Sequence, residues 1–198
     1  MTMKLRIGLD AIAAYRRLDY TPWHAIAEFV DNSTQAYFDN QEVLDAALAK
    51  DGEELWVAVV YEEKDDLGCV SDNSIGMSYE ELDRALHVAL PPKNTSGRSK
   101  YGMGLKTAAS WIGNRWTVRT KKLGETVEHR VTVDVLDVSQ GGGDIPYECF
   151  EGRPAEDHYT IVEVRDHNRK FRGRTLGRIK EYLGSMYRMD LREERLRL

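Results

Sequence analysis

This sequence is poor in the features that hold secreted, membrane and zinc-bound proteins together. Cysteine occurs twice, at Cys69 and Cys149, far apart and with no second cysteine near either. That usage points to a reduced, cytoplasmic protein with both thiols as small core residues. No stretch approaches the ~20 apolar residues that a membrane span needs. The opening Met1-Thr2-Met3-Lys4-Leu5-Arg6 lacks the apolar core of a signal peptide. His24, His87, His129, His158 and His167 show no metal-ligand spacing, which argues against zinc. Internal repeats and an interdomain linker are missing too. What is present, 198 residues with 41% hydrophobic content, fits one domain with a sizeable core.

The net charge of −5 conceals an asymmetry. Residues 1–164 carry 17 basic and 28 acidic side chains, whereas residues 165–198 carry 11 basic and 5 acidic. The acidic body argues against this segment gripping DNA alone. The basic tail reads as a solvated helix face or a connection to something downstream, ahead of a nucleic-acid patch.

Along the chain, Asp10 to Leu18 predicts a short helix with an Asp cap. Thr21-Pro22 predicts a second start, with Thr as cap and Pro at the first helical position. Trp23, Ile26, Ala27, Val30 and Tyr37 keep helical spacing from there, and an alanine-rich run to Lys50 continues it or adds a second helix. Leu55 to Tyr61 predicts a strand, and Gly68-Cys69-Val70 the end of another that runs into Asp72. Ser78-x-x-Glu81 is a capping box opening a helix to about Val88. Leu90 to Lys100, with Pro91, Pro92 and Gly97, predicts a long mobile loop. Leu105 to Ile112 predicts a helix closed by Gly113. Arg115 to Thr120 and Thr126 to Val138 predict strands joined around Gly124, and Tyr159 to Arg165 another. Leu176, Ile179, Leu183 and Met186 predict a last amphipathic helix. The sum is a helix layer over a mostly antiparallel sheet.

Three short motifs stand out on this frame. Glu28 and Asn32 lie one helical turn apart and face one site, where a carboxylate can take a proton from water and an amide oxygen can hold magnesium. Asp72, at a strand end before the turn Ser74-Ile75-Gly76-Met77, can accept a hydrogen bond from an exocyclic amine. Gly102-Met103-Gly104-Leu105-Lys106 sets two glycines before a helix, where free N–H groups favour phosphate. Each alone also suits a plain structural role: a surface glutamate, an Asp-Asn-Ser turn, a loop-to-helix junction. The last is neither a P-loop, since Met103 stands where Lys is required, nor a dinucleotide fingerprint.

Together and in this order, Glu28-Phe29-Val30-Asp31-Asn32-Ser33, Asp72-Asn73-Ser74-Ile75-Gly76-Met77 and Tyr101-Gly102-Met103-Gly104-Leu105-Lys106 resemble the N-box and the two glycine boxes of the GHKL ATPases. That superfamily includes DNA gyrase, the large heat-shock chaperones, MutL and the sensor histidine kinases. The N-box resembles the microrchidia, chaperone and MutL branches more than the kinases. Leu90 to Lys100 has the composition of the ATP lid, and Tyr159 to Val164 resembles the later strand whose Thr supports the adenine-binding Asp. The resemblance runs from about Trp23 to Val164.

It implies the Bergerat fold, an α+β two-layer sandwich with helices on one face of a mixed, mostly antiparallel sheet. It implies ATP and magnesium as ligands, Glu28 as general base, Asn32 as magnesium ligand and Asp72 as adenine reader. Gly76 and Met77 would line the base pocket, and Thr160 would brace Asp72. Gly102 and Gly104, with Met103 and Leu105 in the same box, would approach the phosphates. Lys100, Lys106 and the amide of Asn94 would join them on grounds of charge and position. Two residues depart from the family pattern: Gln35 stands where many relatives carry Asp, and Ser74 where the first glycine box usually has Gly.

The implied activity is a slow ATPase in which ATP closes the lid and brings two copies together. A nucleotide sensor without turnover and, less favoured, a histidine-kinase catalytic domain are the alternatives. Arg192 to Leu198 alternates like the first residues of a strand, which suggests a longer protein whose further part and client carry the output.

Overall fold

Period-two alternation along the strands decides which face of the sheet becomes core. The computed structural model describes residues 11–87, 103–141 and 144–198. Six strands, β1 (Val57–Glu62), β2 (Leu67–Asp72), β3 (Gly113–Lys121), β4 (Val127–Asp134), β5 (Tyr147–Glu151) and β6 (Tyr159–His167), form one sheet. Their order is β1-β2-β6-β3-β4-β5, and every neighbouring pair is antiparallel. The register aligns Val59, Val70, Val162, Val118, Val131 and Tyr147 across all six. One residue along, the opposite face carries Ala58, Ser71, Ile161, Arg119, Arg130 and Glu148. The valine row therefore faces the helices, and the charged row faces outward.

Eight helices complete the described fold: α1 (Ala11–Ala14), α2 (Pro22–Asp39), α3 (Gln41–Asp51), α4 (Tyr79–Leu86), α5 (Gly104–Ile112), α6 (Val135–Ser139), α7 (Arg174–Met186) and α8 (Arg188–Arg192). The result is the expected open α+β sandwich. Central to the helix layer are α2, which buries Ala25, Ile26, Phe29, Val30 and Tyr37, and α5, buried from Lys106 to Ile112. Ile179 and Leu183 of α7 join the same core. Tyr187 fastens the C-terminal helices to α2 by donating from its hydroxyl to the Ala27 carbonyl at 3.1 Å and to Asp31 Oδ1 at 2.9 Å. The capping box is present: Ser78 Oγ accepts from the Glu81 N–H, and the Glu81 carboxylate accepts from the Ser78 N–H.

Several local expectations are corrected. The sheet is antiparallel rather than mixed; the one parallel feature in the described residues is an isolated bridge between Trp56 and Arg197. That bridge is also all the strand that Arg192 to Leu198 makes, because α8 and a turn occupy most of the segment. The strand predicted to reach Val138 ends at Asp134, whose carboxylate accepts from the N–H groups of Leu136 and Asp137 and caps α6. Thr21 makes no side-chain cap bond, so Pro22 alone marks the start of α2. Cys149 is exposed on the edge strand β5, and only Cys69 is partly buried. Leu176 and Met186 are exposed, which leaves Ile179 and Leu183 as the buried stripe of α7.

Gly113 closes α5 differently from a left-handed cap. Its φ of −149° is extended, and it begins β3 without an intervening turn. A Cβ there would lie 2.3 Å from the Arg165 carbonyl oxygen and 2.7 Å from Val164 Cγ1. Space, rather than backbone freedom, demands glycine. Gly113→Ala is therefore expected to destabilise the domain by about 1–3 kcal/mol through overpacking, read as a lower urea midpoint at unchanged slope.

Candidate functional site

The chain places Asp72 at the last position of β2 on the helix-facing side, in the row that continues through Thr160, Thr120 and His129. The carboxylate is 4% exposed. Ser33, on α2, donates from Oγ to Asp72 Oδ2 at 2.5 Å; the N–H groups of Ser74 and Thr160 donate to Oδ1 at 2.9 and 3.3 Å. Burial pushes the Asp72 carboxyl up from its ordinary range, and these three donors oppose the shift. An ionised carboxylate offers about four acceptor positions. The described residues take three, which leaves acceptor capacity for one more donor.

The turn after Asp72 is held from the next strands. Gly76 has φ +73°, and a Cβ there would lie 2.0 Å from the Lys121 carbonyl oxygen. Glycine is thus required by the backbone itself, beside any effect on a flat base. The Met77 N–H donates to Thr120 Oγ1 at 2.8 Å. Thr120 in turn donates to the Tyr159 carbonyl at 3.1 Å and shares a 3.1 Å hydrogen bond with Thr160 Oγ1. Thr160 thus reaches Asp72 through its backbone, while its hydroxyl points along the sheet to Thr120. His158 lies 3.0 Å through Nδ1 from the Ser74 carbonyl; a carbonyl only accepts, so Nδ1 carries the hydrogen.

Glu28 lies on α2, half-buried, with the Tyr20 hydroxyl donating to Oε1 at 3.0 Å. Burial raises the Glu28 pKa, and the Tyr20 hydrogen bond works against that rise. Tyr20 itself is pushed up to about 12, by burial first and by the neighbouring Glu28 carboxylate second. Gly104, the first residue of α5, packs on this carboxylate so closely that a Cβ would sit 2.1 Å from Glu28 Oε2. The N-terminal end of α5 therefore meets the proposed base directly. Asn32 is half-buried, and no described residue makes a hydrogen bond to its side-chain amide.

The other members of the second glycine box are divided. Met103 is exposed and precedes α5, with its carbonyl accepting the Thr107 N–H at 2.9 Å. Leu105 packs against the core. Lys106 is 1% exposed, donates from Nζ to the Ala85 carbonyl of α4, and is pulled down to about 8 by burial. Asn94, Lys100 and Gly102, like the whole predicted lid, lie outside the described residues.

Of the two departures from the family pattern, Gln35 donates to Asp39 Oδ1 at 2.8 Å. Ser74 keeps a negative φ, so replacing Gly costs it no backbone strain. Sequence reasoning missed four contributors: Ser33, Thr120, Tyr20 and His158. Ser33 follows Asn32 in the motif and had a signal; the other three are joined to the site only by folding. The described residues hold no cluster of three or more His, Cys, Asp or Glu side chains suited to a metal. Magnesium does not need one, since it commonly takes one or two protein oxygens and completes its shell with phosphates and water. The Asn32 amide, to which no described residue bonds, lies one turn from Glu28 and fits that demand.

The sequence model for histidine kinase-, DNA gyrase B- and HSP90-like ATPases matches residues 20–163. The chain belongs to this family. It is an ATP-binding domain of the GHKL type, and domains of the family are generally ATPases. The matched span includes Tyr20, Glu28, Asp72, Gly104 and Thr160. No curated protein matches the chain. No described helix is long and apolar enough to cross a membrane.

Thr120 joins the turn after Asp72 to β6, which makes Thr120→Val a clean test of that joint. The substitution keeps the shape but removes the acceptor of the half-buried Met77 N–H. A loss of about 1–3 kcal/mol in stability is expected, with faster hydrogen exchange at the Met77 amide.

Proposed function

We propose that this domain binds Mg-ATP with adenine against Asp72 and the triphosphate toward Gly104, and hydrolyses it slowly with water activated by Glu28. The observation that carries this reading is that α2 brings the three motifs together. Ser33, next to Asn32, bonds Asp72, and Glu28 rests on Gly104. Asp72 supplies a buried carboxylate acceptor for an exocyclic amine. The N-terminus of α5 would turn its first N–H groups toward phosphate, beside the base. Asn32 would hold magnesium, which when bound screens phosphate charge. Gly76 and Met77 would border the adenine, and Thr160 would fix Asp72 from behind.

The family resemblance extends the reading to lid closure by Leu90 to Lys100, with Asn94, Lys100 and Gly102 near the phosphates, and to pairing of two copies. The two separated cysteines favour a reducing, cytoplasmic setting for the domain. The Glu-Phe-Val-Asp-Asn-Ser N-box favours the microrchidia, chaperone and MutL branches.

Asp72→Asn should retain the fold, because an amide oxygen can still accept from Ser74 and Thr160. ATP affinity should drop roughly tenfold or more, the worth of ~1–3 kcal/mol for a charged hydrogen bond. Equal affinities by calorimetry would remove the adenine assignment.

Glu28→Ala should leave ATP affinity near normal and lower turnover by roughly 10²–10⁴-fold, whereas Asn32→Ala should weaken magnesium-dependent binding itself. Glu28 must be ionised to accept a proton, and its pKa lies above the ordinary 4.5. Turnover should therefore fall on the acid side at a higher pH than for an unperturbed glutamate. Absence of phosphate release by the wild-type domain would favour a nucleotide sensor.

A further inference from the structure

Tyr20 is eight residues before Glu28 and outside α2, yet its hydroxyl meets Glu28 Oε1 at 3.0 Å. The other carboxylate oxygen, Oε2, faces Gly104 across a gap too small for a Cβ. The two oxygens thus have different surroundings: one holds a fixed donor, the other faces the N-terminal end of α5. A general base in such a site is commonly oriented by a third group that occupies one of its heteroatoms and leaves the other for the proton.

The strap bearing Tyr20 is itself anchored. The Trp111 indole N–H donates to the Leu18 carbonyl at 3.0 Å, and the Trp111 and Tyr20 rings lie 6.1 Å apart. Arg169 stacks its guanidinium 4.2 Å above the Trp111 ring and donates to the carbonyls of Arg16 and Trp111 at 2.7 and 2.8 Å. Residues 16–20 are therefore fastened to the end of α5 and to the segment after β6. Tyr20 presents its hydroxyl from a braced support.

We propose that Tyr20 is the positioning residue of Glu28, holding the carboxylate so that Oε2 faces the phosphate end of the site. The proposal rests on the reading of Glu28 as the base. Tyr20 acts through Glu28 and not by contact with nucleotide. Its hydroxyl stays protonated throughout the working range, because burial and the Glu28 carboxylate push it up to about 12. It therefore orients and does not exchange the proton.

A double-mutant cycle on the whole chain tests this, with kcat measured at saturating Mg-ATP and ATP affinity measured by calorimetry. Tyr20→Phe removes only the hydroxyl and keeps the ring against Trp111, so the melting temperature reports whether the strap is intact. About a tenfold loss of kcat is expected, with ATP affinity within about twofold of wild type. In the Glu28→Ala background, Tyr20→Phe is expected to cost nothing more, because the group it positions is gone. A wild-type kcat in Tyr20→Phe, with Glu28→Ala inactive, overturns the proposal and leaves the base in place. A further loss in the Glu28→Ala background overturns it too, since Tyr20 would then act by another route. Full activity of Glu28→Ala instead removes the base reading, and the positioning role with it. Should Tyr20→Phe melt early, Tyr20→His, which keeps a ring and a donor, provides the second variant. Recovery of kcat with the donor restored supports the proposal, and a loss of affinity equal to the loss of kcat in both variants overturns it.

Discussion

A carboxylate buried at the end of a strand sets the terms for this domain. Withdrawing Asp72 from water is unfavourable unless donors meet it, and here they come from three distant places. Ser33 reaches it from α2, Ser74 from the turn that follows, and Thr160 from β6. A helix, a turn and a strand 88 residues away are thereby registered on one pair of oxygens. β6 meets that need from its place between β2 and β3. Thr160 must stand beside Asp72 on one side and Thr120 on the other.

The second constraint is the close approach of α2 and α5. Gly104 lets the start of α5 rest on Glu28 as it stands, since a Cβ there would push the Glu28 carboxylate aside. The approach partly dries the carboxylate, and burial raises its pKa, which makes it a better proton acceptor than an exposed glutamate. Membership of the ATPase family rests on the match over residues 20–163, whereas the contact between Glu28 and Gly104 belongs to the fold. Lys106 adds a different kind of link. Its ammonium is spent in part on the Ala85 carbonyl, so it ties the helix that follows the first glycine box to the one that follows the second.

Much of this was legible as pattern. The N-box spacing puts Glu28 and Asn32 on one face of α2, and the Ser78 capping box opens α4 where the spacing says. The strand ending in Asp72 and the strand bearing Thr160 also follow from alternation. The failures have identifiable causes. Tyr147–Glu151 is an edge strand with four exposed residues, so it shows no apolar alternation to detect. Val135 to Val138 is apolar enough for a strand, but the Asp134 cap turns it into α6. At Gly113 the local signal for a helix end was right and its mechanism was not, because the crowding comes from Arg165, some fifty residues on.

By itself, then, the sequence determined the kind of domain, the order of its motifs and the helix that carries Glu28 and Asn32. Those properties depend on short-range spacing, which a helix or strand period converts directly into facing side chains. Tertiary structure alone decided what holds those groups. Ser33 and Thr160 on Asp72, Thr120 under Met77, and Tyr20 on Glu28 are joined across 39, 88, 43 and 8 residues. No local period spans such gaps. The hydrogen bonds that aim the site exist only once the sheet is in register and α2 has packed against α5.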